Sequence, residues 1–403
     1  MRGARRGRQA FRSRRNGPCN LVERNKVEAG DNVEGALKQG QEFTPDWFSK
    51  PGDSLRALML RQNLSALEVA SHLIGGTTTL RGLLDGSNAV DREHATALAG
   101  AVGGTMSFWL KRQEQYESAL ERAVDRATAV EADNWLLLPV PGEKPRGRLT
   151  SEKRRDEVRR RLRFFNVGTM DAWQARYGKI CTNTLFRTSA AFDSDHGAVL
   201  MWLRDGELSS DLVSTKPWNA GNLQDRLDTI RKLSKLKRPE AFLPKLKELC
   251  AEAGVAVVAK KAPSGCRASG ASRLVAPDKA MILLSFRGRS DDTFWFTVFH
   301  EIGHLILHGA KTFVDSEMSN NDVDKSEREA NEFASDLIVP AARKEEFQEL
   351  PAEKYEVTRF SVSVGVSPGL TVGQMQHRDM IKPDQLNYLK RRWQWDELAE
   401  VMD

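Results

Sequence analysis

The sequence has 403 residues, of which 40% are hydrophobic, so the chain is long enough for two or three packed domains. No apolar run reaches the roughly eighteen residues of a membrane span, which argues against a membrane protein. The net charge of +6 comes mainly from residues 2–26, where nine Lys and Arg residues accompany one acid, Glu23, and the rest of the chain is close to neutral. The overall charge therefore gives little support for nucleic-acid binding.

Residues 1–50 show little hydrophobic periodicity and predict a disordered basic tail, which a translation start assigned upstream of the true one would also produce. No apolar segment of a signal peptide follows the N-terminal arginines, so the sequence predicts a cytoplasmic protein. The cysteines form no Cys-x-x-Cys pair, which argues against a disulfide framework or a zinc ribbon and is typical of a reducing compartment. They are Cys19, Cys181, Cys250 and Cys266.

Five helical patterns follow the tail and predict an all-α domain at residues 51–135. Gly-containing breaks separate them, and Ser65 and Asp91 are candidate N-caps. The patterns cover Ser54–Gln62, Ser65–Leu73, Thr77–Leu84, Asp91–Val102 and Ser107–Val130.

The glycine turn between the second and third helical patterns favours a helix-turn-helix. In this interpretation Thr77, Thr78, Thr79 and Arg81 open the recognition helix and face the major groove of DNA. Residues 53–120, however, contain six Lys and Arg against seven Asp and Glu, whereas phosphate neutralisation needs several cations. The alternative is a helical bundle that docks a protein or dimerises, and both hypotheses stay open.

A linker is predicted at residues 136–160, where Pro and Gly are frequent between 139 and 147. The basic run Lys153–Arg163 predicts a helix with charges on all sides. Such a run indicates a solvated face, with a nucleic-acid contact as the alternative.

Residues 161–395 predict an α+β domain with a small sheet. Short β-branched runs predict strands at Val255–Ala259, Arg273–Ala276 and Met281–Phe286. We expect Ala280–Ser285 to be an exposed sheet edge that binds an extended peptide by strand addition. The domain divides into a helical part (161–253), a core (254–340) and C-terminal helices (341–395). The last of these is an amphipathic helix expected at Leu386–Trp395, with Lys390, Arg391 and Arg392 facing outward.

The most informative stretch is residues 293–308, an apolar helical pattern that contains His-Glu-Ile-Gly-His. His300 and His304 are four residues apart, so both imidazoles leave one helix face and can share a metal ion. Glu301 lies beside them as a candidate general base, which is the arrangement of zinc hydrolases. Chance is the alternative explanation. It is weakened because a His pair is costly to bury in an apolar helix without a partner.

A second acidic helical pattern runs from Glu327 to Pro340 and supplies candidates for a third zinc ligand. Glu327 is the preferred ligand, with Asn331 hydrogen-bonding one of the ligands. Glu329 is the competing ligand, and a solvated acidic face is the alternative for both. His308 comes too soon after His304 for longer zinc motifs, so it is expected beside the ligands or at the surface.

These residues resemble the ImmA/IrrE family of metallopeptidases over about 160–395. The resemblance rests on Trp295–His308 and Glu327–Ala334. Residues 53–120 are similar to XRE or HigA-like helix-turn-helix domains, through Gly86, Ala95–Leu98 and Phe108–Tyr116. The combination implies a multidomain chain, with an all-α helix-turn-helix domain followed by a zincin-like metallopeptidase domain.

The resemblance implies a zinc endopeptidase that cleaves a repressor or regulator protein in a bacterial stress, mobile-element or toxin–antitoxin circuit. On this pattern His300, His304 and Glu327 bind Zn²⁺ and Glu301 is the base. His308 and Arg287 are candidate oxyanion donors. The alternative is a DNA-binding antitoxin or repressor in which the zincin fold is a sensor or scaffold. The expected partners are a protein substrate and a possible DNA operator, with no membrane, and the oligomeric state is left open.

Overall fold

The structure is a computed structural model that describes residues 48–142, 147–178, 196–309 and 320–403. Residues 1–47 of the predicted tail lie outside the described residues, and so does Cys181. Cys250 and Cys266 are buried free thiols. None of the described helices combines the length and the apolar composition needed to cross a membrane.

The described chain begins with helices at the predicted positions. Ser65 and Glu68 form a capping box, and Asp91 caps the fourth helix. Leu80, Leu98 and Trp109 lie at the centre of the core that these helices share. The helices are α1 (Pro51–Gln62), α2 (Ala66–Ala70), α3 (Gly76–Asp85), α4 (Arg92–Val102) and α5 (Met106–Val130).

A second core joins the far half of α5 to later helices. Leu120 and Val124 of α5 pack with Val158, Leu162 and Trp202. The helices that follow α5 are α6 (Ala132–Leu137), α7 (Ser151–Phe165), α8 (Met170–Trp173) with a π-helical turn at Gln174–Gly178, and α9 (His196–Ser210).

The basic run predicted as a solvated face lies on α7, and the structure corrects that interpretation. Arg155 and Arg159 pair with Glu121 of α5 at 3.0 and 2.8 Å. Arg161 is buried and donates to the carbonyl of Leu138 at 2.9 Å. These arginines therefore bind acids and carbonyls of neighbouring segments, because the acidic face of α5 lies opposite α7.

The sheet follows α10 (Ala220–Gln224), α11 (Leu227–Leu233) and α12 (Pro239–Ala251). The described residues form one sheet of three strands, in the order β1-β3-β2. β1 is parallel to β3, and β2 is antiparallel to it. The three predicted strands are confirmed, with small shifts at their ends. They are β1 (Val255–Ala259), β2 (Gly270–Ala276) and β3 (Lys279–Leu284).

The prediction that Ala280–Ser285 forms an exposed sheet edge is wrong. β3 is the central strand, and Ala280 to Leu284 are at most 1% exposed. The reason is the parallel pairing of β1 with β3, which joins segments about 25 residues apart and occupies the side of β3 that β2 leaves open. In the described sheet, the edge strands are β1 and β2. The end of β1 is also paired with the chain end, since Asp403 N–H donates to the Ala259 carbonyl at 2.8 Å.

Helix α13 (Asp291–Leu307) packs against β2 and β3, and α14 (Asn320–Ile338) packs against α13. Trp295, Phe299 and Ile302 of α13 are fully buried in the third core, against β1, β3 and α12. Shorter helices complete that core. They are α15 (Lys344–Gln348) after a 3-10 turn at Ala341–Arg343, α16 (Lys354–Val364), α17 (Pro368–His377) and α18 (Trp395–Ala399).

The prediction of a helix at Leu386–Trp395 is wrong, because only a 3-10 turn at Asn387–Leu389 forms there. The chain then runs beside the start of α13. Lys390 pairs with Asp292 at 2.7 Å, and Arg391 N–H donates to Asp291 at 2.9 Å. Of the three cations expected to face solvent, Lys390 binds the N-terminal turn of α13, the Arg391 guanidinium donates to the carbonyls of residues 234–236, and Arg392 is exposed as expected. These tertiary contacts replace the helix.

Candidate metal centre

The two histidines of the motif lie on the face of α13 that meets α14. Their Nε2 atoms are 2.9 Å apart. His300 is fully buried and His304 is 3% exposed. Two imidazole nitrogens this close, away from bulk water, can supply two of the four ligands of a tetrahedral zinc ion.

Helix α14 brings a carboxylate to the same point. Glu327 places Oε2 3.3 Å from His300 Nε2 and Oε1 3.3 Å from His304 Nε2. The two helices approach closely because Gly303 has no side chain. A Cβ there would lie 3.0 Å from the Phe333 ring and 3.4 Å from Ala330 Cα.

The spacing of these three groups fits a zinc ion. Tetrahedral coordination at 2.0–2.1 Å separates two ligand atoms by about 3.3 Å, and the observed separations are 2.9, 3.3 and 3.3 Å. His300 Nδ1 lies 3.1 Å from Asn331 Oδ1. Nδ1–H donates to this amide oxygen, and the lone pair of Nε2 then faces the cluster.

The protonation states also fit a metal site. Burial opposes ionisation of Glu327, but hydrogen bonds with His300 and His304 outweigh it and lower the pKa of Glu327 to about 2. Burial lowers the pKa of His304. An ionised carboxylate beside a neutral imidazole is the state in which such groups bind a divalent cation.

Glu301 is held in place by a residue of β2. It is fully buried, and Ser272 Oγ donates to its Oε2 at 2.7 Å. Gly270, on the same face of β2, leaves room for it, since a Cβ there would lie 2.8 Å from Glu301 Oε1. Neither Ser272 nor Gly270 was predicted from the sequence, because no spacing rule links them to Glu301 across 29 residues or more.

Of the other predicted site residues, His308 lies beside this cluster, whereas Glu329 and Arg287 contact other groups. His308 Nε2 is 3.2 Å from the carbonyl of Ser326, just before Glu327, so His308 contacts the segment that carries the carboxylate. Glu329, the competing ligand, instead lies 3.8 Å from His308 Nδ1, with 43% of its side chain exposed. Arg287 donates to the Arg267 carbonyl in the loop before β2.

The candidate DNA-binding residues lie at the start of α3. Thr77, Thr78 and Arg81 are exposed. Thr79 is half-buried, and its hydroxyl donates to the carbonyl of Ile74 at 2.6 Å, within the turn that joins α2 to α3. Three of the four side chains therefore face solvent.

One family model matches the chain, over residues 250–369, and its description is Peptidase_M78, IrrE N-terminal-like domain. The match covers less than a third of the chain but includes the sheet, α13 and α14. It supports a metal-dependent peptidase. The comparisons with curated proteins and with solved structures found no match.

Proposed function

We propose that this protein is a zinc endopeptidase that cleaves a repressor or regulator protein. The observation that carries the proposal is the cluster of His300, His304 and Glu327, whose ligand atoms lie within 4.8 Å of one another beside a buried Glu301. The match to a metallopeptidase family over the same residues supports it. The bacterial stress, mobile-element or toxin–antitoxin setting is part of the proposal and rests on the resemblance alone.

Each residue of the site has a role in this proposal. His300, His304 and Glu327 hold the ion, and Asn331 fixes the tautomer of His300. When bound, zinc supplies Lewis acidity, which polarises a peptide carbonyl and makes an attacking water easier to deprotonate. Glu301 accepts the proton of that water and returns it to the leaving amine, while Ser272 holds its carboxylate in place.

The substrate peptide binds along β2 in this proposal. Ser285 N–H donates to the Ser269 carbonyl. Because bonded pairs alternate in an antiparallel ladder, Gly270, Ser272 and Leu274 direct their backbone groups away from β3. Side chains at these same positions lie on the face of Glu301. A peptide that adds to β2 therefore lies beside the base. The edge expected at β3 does not allow this, because β3 is paired on both sides.

Replacing the base tests the proposal. We expect Glu301→Gln to lower the cleavage rate by at least about 100-fold, since a general base contributes this much or more. Zinc content should stay at one ion per chain, because Glu301 is not a ligand. The measurements are cleavage of a co-expressed helix-turn-helix repressor and of a proteome-derived peptide library, with zinc determined by elemental analysis.

Glu332→Gln is the matched control, because Glu332 is exposed on α14. It should leave the rate and the zinc content unchanged. Cleavage by Glu301→Gln at the wild-type rate would refute the assigned base. Purified protein that binds no zinc would refute the metal centre.

A DNA-binding antitoxin or repressor is the second candidate function. It is favoured by α2 and α3, which are joined by a turn with Gly75 at φ 84° and leave Thr77, Thr78 and Arg81 exposed. Footprinting on the protein's own promoter tests it. A footprint that disappears in Thr78→Ala and Arg81→Ala supports this function, and the absence of any footprint counts against it.

A further inference from the structure

Strand β2 carries two neighbouring polar residues that point to opposite faces of the sheet. Side chains alternate along a strand, so Ser272 faces α13 whereas Arg273 faces α9. Ser272 Oγ donates to Glu301 Oε2 at 2.7 Å, and both residues are buried. Arg273 is 7% exposed, so its guanidinium is also removed from solvent. One short strand therefore contacts the proposed base on one face and carries a buried charge on the other.

The buried charge of β2 is paired with a carboxylate of α9. Glu207 is 3% exposed, and its Oε1 lies 2.7 Å from Arg273 Nη1. Helix α9 packs against β1 and β3. It comes close to the sheet because Gly206 has no side chain, and a Cβ there would lie 2.6 Å from Leu283 Cδ2 of β3. Glu207 thus binds β2 from a helix that is itself packed tightly on the sheet.

Other groups hold both partners of this ion pair. Glu207 Oε2 accepts hydrogen bonds from Arg204 Nη1 at 2.7 Å and from the Tyr177 hydroxyl at 3.0 Å. Arg273 Nη2 donates to the Arg176 carbonyl at 3.4 Å, and its guanidinium carbon lies 5.8 Å from the centre of the Tyr177 ring. Burial opposes ionisation of Glu207, but the charges of the three arginines outweigh it and lower the pKa of Glu207 to about 2. The carboxylate is therefore ionised at neutral pH.

The position of β2 depends on contacts made by its two faces. In the described sheet β2 is an edge strand, so the hydrogen-bonded ladder to β3 holds it along one edge only. A strand bonded along one edge can tilt about that edge, and side-chain contacts on its faces oppose the tilt. The ion pair of Arg273 is such a contact. A tilt of β2 would move the Ser272 hydroxyl away from Glu301, and a hydrogen bond weakens steeply as its geometry is lost.

We propose that Arg273 is a positioning residue of the peptidase, whose ion pair with Glu207 fixes β2 so that the Ser272 hydroxyl stays bonded to Glu301. The inference rests on the proposed function, in which Glu301 is the base. Arg273 faces away from Glu301 and acts through Ser272. Removing its charge therefore lowers the rate by no more than removing the Ser272 hydroxyl does.

Arg273→Met is the variant that tests this role. It removes the charge but keeps a long side chain, and Glu207 keeps Arg204 and Tyr177 as partners. The converse variant, Glu207→Gln, would leave buried arginines without their carboxylate and is unsuitable, because an uncompensated buried charge is strongly destabilising. We expect Arg273→Met to lower kcat by about three- to tenfold, since a hydrogen bond to a charged group contributes about this much. Zinc content should stay the same.

A double-mutant cycle shows whether Arg273 acts through Ser272. In a chain that already carries Ser272→Ala, adding Arg273→Met should lower kcat by less than about twofold, whereas independent effects would multiply. Arg273→Lys keeps the charge and should restore kcat to within about twofold of the wild type. An unchanged kcat in Arg273→Met, or losses that multiply in the double variant, would overturn the role.

Arg161→Met is the matched control for the loss of a buried arginine. Arg161 is 5% exposed and pairs with Glu157 at 2.6 Å within α7. Both variants lose a buried ion pair, so both should unfold at a lower temperature than the wild type. Only Arg273→Met should lower kcat, measured at a temperature where all variants are folded. An equal loss of kcat in Arg161→Met would mean that reduced stability explains the effect, and the positioning role would fail.

Crystal structures of the full chain, grown without added zinc, test the positioning apart from any cleavage. If the wild-type chain cleaves no peptide, the proposed function fails on that assay, and the structures still judge the role of Arg273. We expect Ser272 Oγ and Glu301 Oε2 to be more than about 3.5 Å apart in Arg273→Met, beyond hydrogen-bonding distance. In Arg273→Lys and Arg161→Met the wild-type distance of 2.7 Å should remain. The same distance in Arg273→Met would overturn the inference.

Discussion

At the scale of single residues, the carboxylate of Glu301 is positioned by two elements at once. Helix α13 carries its backbone, and the Ser272 hydroxyl of β2 donates to its Oε2 at 2.7 Å. Both residues are buried, so water does not replace this bond if it is lost. The position of the proposed base therefore depends on a strand that contributes none of the proposed metal ligands.

Removing the Ser272 hydroxyl tests this dependence. We expect Ser272→Ala to lower kcat about tenfold, since a hydrogen bond to a charged group contributes about 1.5 kcal/mol or more. KM and zinc content should stay the same, and a crystal structure should show Glu301 turned away from its wild-type position. Ser361→Ala is the control, because Ser361 is equally buried and donates to the Val357 carbonyl. Full activity in Ser272→Ala with Glu301 in place would contradict the role.

Asp291 is a buried acid at the start of α13. Ser367 Oγ–H donates to it at 2.8 Å and Arg391 N–H at 2.9 Å. Burial raises the pKa of Asp291 to about 6 despite these two hydrogen bonds. The folded protein thus binds a proton here more tightly than the unfolded chain, whose carboxyl titrates near 3.8. The contribution of Asp291 to stability is largest below pH 3.8 and is lost as the pH rises to about 6.

Asp291→Asn removes this titration. Of about 3 kcal/mol over the whole titration, at 1.36 kcal/mol per pKa unit, about 2 kcal/mol is lost between pH 4 and 7. We expect the free energy of unfolding of Asp291→Asn, minus that of the zinc-free wild type, to increase by up to this amount from pH 4 to pH 7. Urea denaturation at four pH values measures it. A constant difference would show that Asp291 does not titrate in this range.

Residue spacing predicted part of the site and could not predict the rest. His300, His304 and Glu327 follow from helical periodicity and from zinc chemistry, and the structure brings them together, while their metal-binding role stays a prediction. Ser272 comes from a strand whose position depends on tertiary packing. No local pattern distinguishes it from other polar residues of the chain.

At the scale of elements, the metal centre depends on how closely α14 approaches α13. Gly303 sets this approach, because a Cβ there would come within 3.0 Å of Phe333 and 3.4 Å of Ala330. Moving α14 outward would move Glu327 away from the two histidines. A single methyl group on α13 would therefore displace Glu327, the proposed third ligand, without touching it.

We expect Gly303→Ala to weaken zinc binding about tenfold and to lower stability by about 1 kcal/mol, because the added methyl group overpacks the interface. Gly100→Ala is the control, since Gly100 is a helical glycine with no atom within 4 Å of an added Cβ. It should raise stability by about 0.5–1 kcal/mol and leave zinc binding unchanged. Competition with a chromogenic chelator and thermal unfolding measure both. Equal zinc affinity in the two variants would contradict this account.

Local signals predicted which segments are helices and strands better than they predicted how the segments pair. The runs at β1, β2 and β3 were identified from β-branched residues and turn residues. Their order was not, because the parallel pairing of β1 with β3 joins segments about 25 residues apart. The failed helix at Leu386–Trp395 has a similar cause, since Asp291 and Asp292 bind that segment in an extended form.

At the scale of the whole molecule, α5 belongs to two cores. Trp109, near its start, packs among α1–α4, whereas Leu120 and Val124 pack with α7 and α9 and with one face of the sheet. Arg56 of α1 also pairs with Asp211, just after α9. The N-terminal helices thus share buried surface with the part of the chain that carries the metal centre.

A chain shortened to begin at residue 141 tests this shared surface. It lacks α5, so Val158, Leu162 and Trp202 would become exposed. We expect it to aggregate, or to unfold at least about 10 °C below the intact protein, because it loses much of one core. Gel filtration and thermal unfolding measure these properties. A monomeric fragment with the intact unfolding temperature would show that the rest of the chain folds without the N-terminal helices.

The alternation along β2 sets a requirement for inhibitor design. Outward backbone groups recur at every second residue, about 6.6 Å apart, and the same positions face Glu301. A chelating warhead alone would engage only the histidines and Glu327, as it would in many unrelated zinc hydrolases. An extended scaffold whose amides match the 6.6 Å repeat, with the warhead placed across from Ser272, would gain selectivity from the strand. A scaffold shifted by one residue would turn its amides away from β2 and lose that advantage.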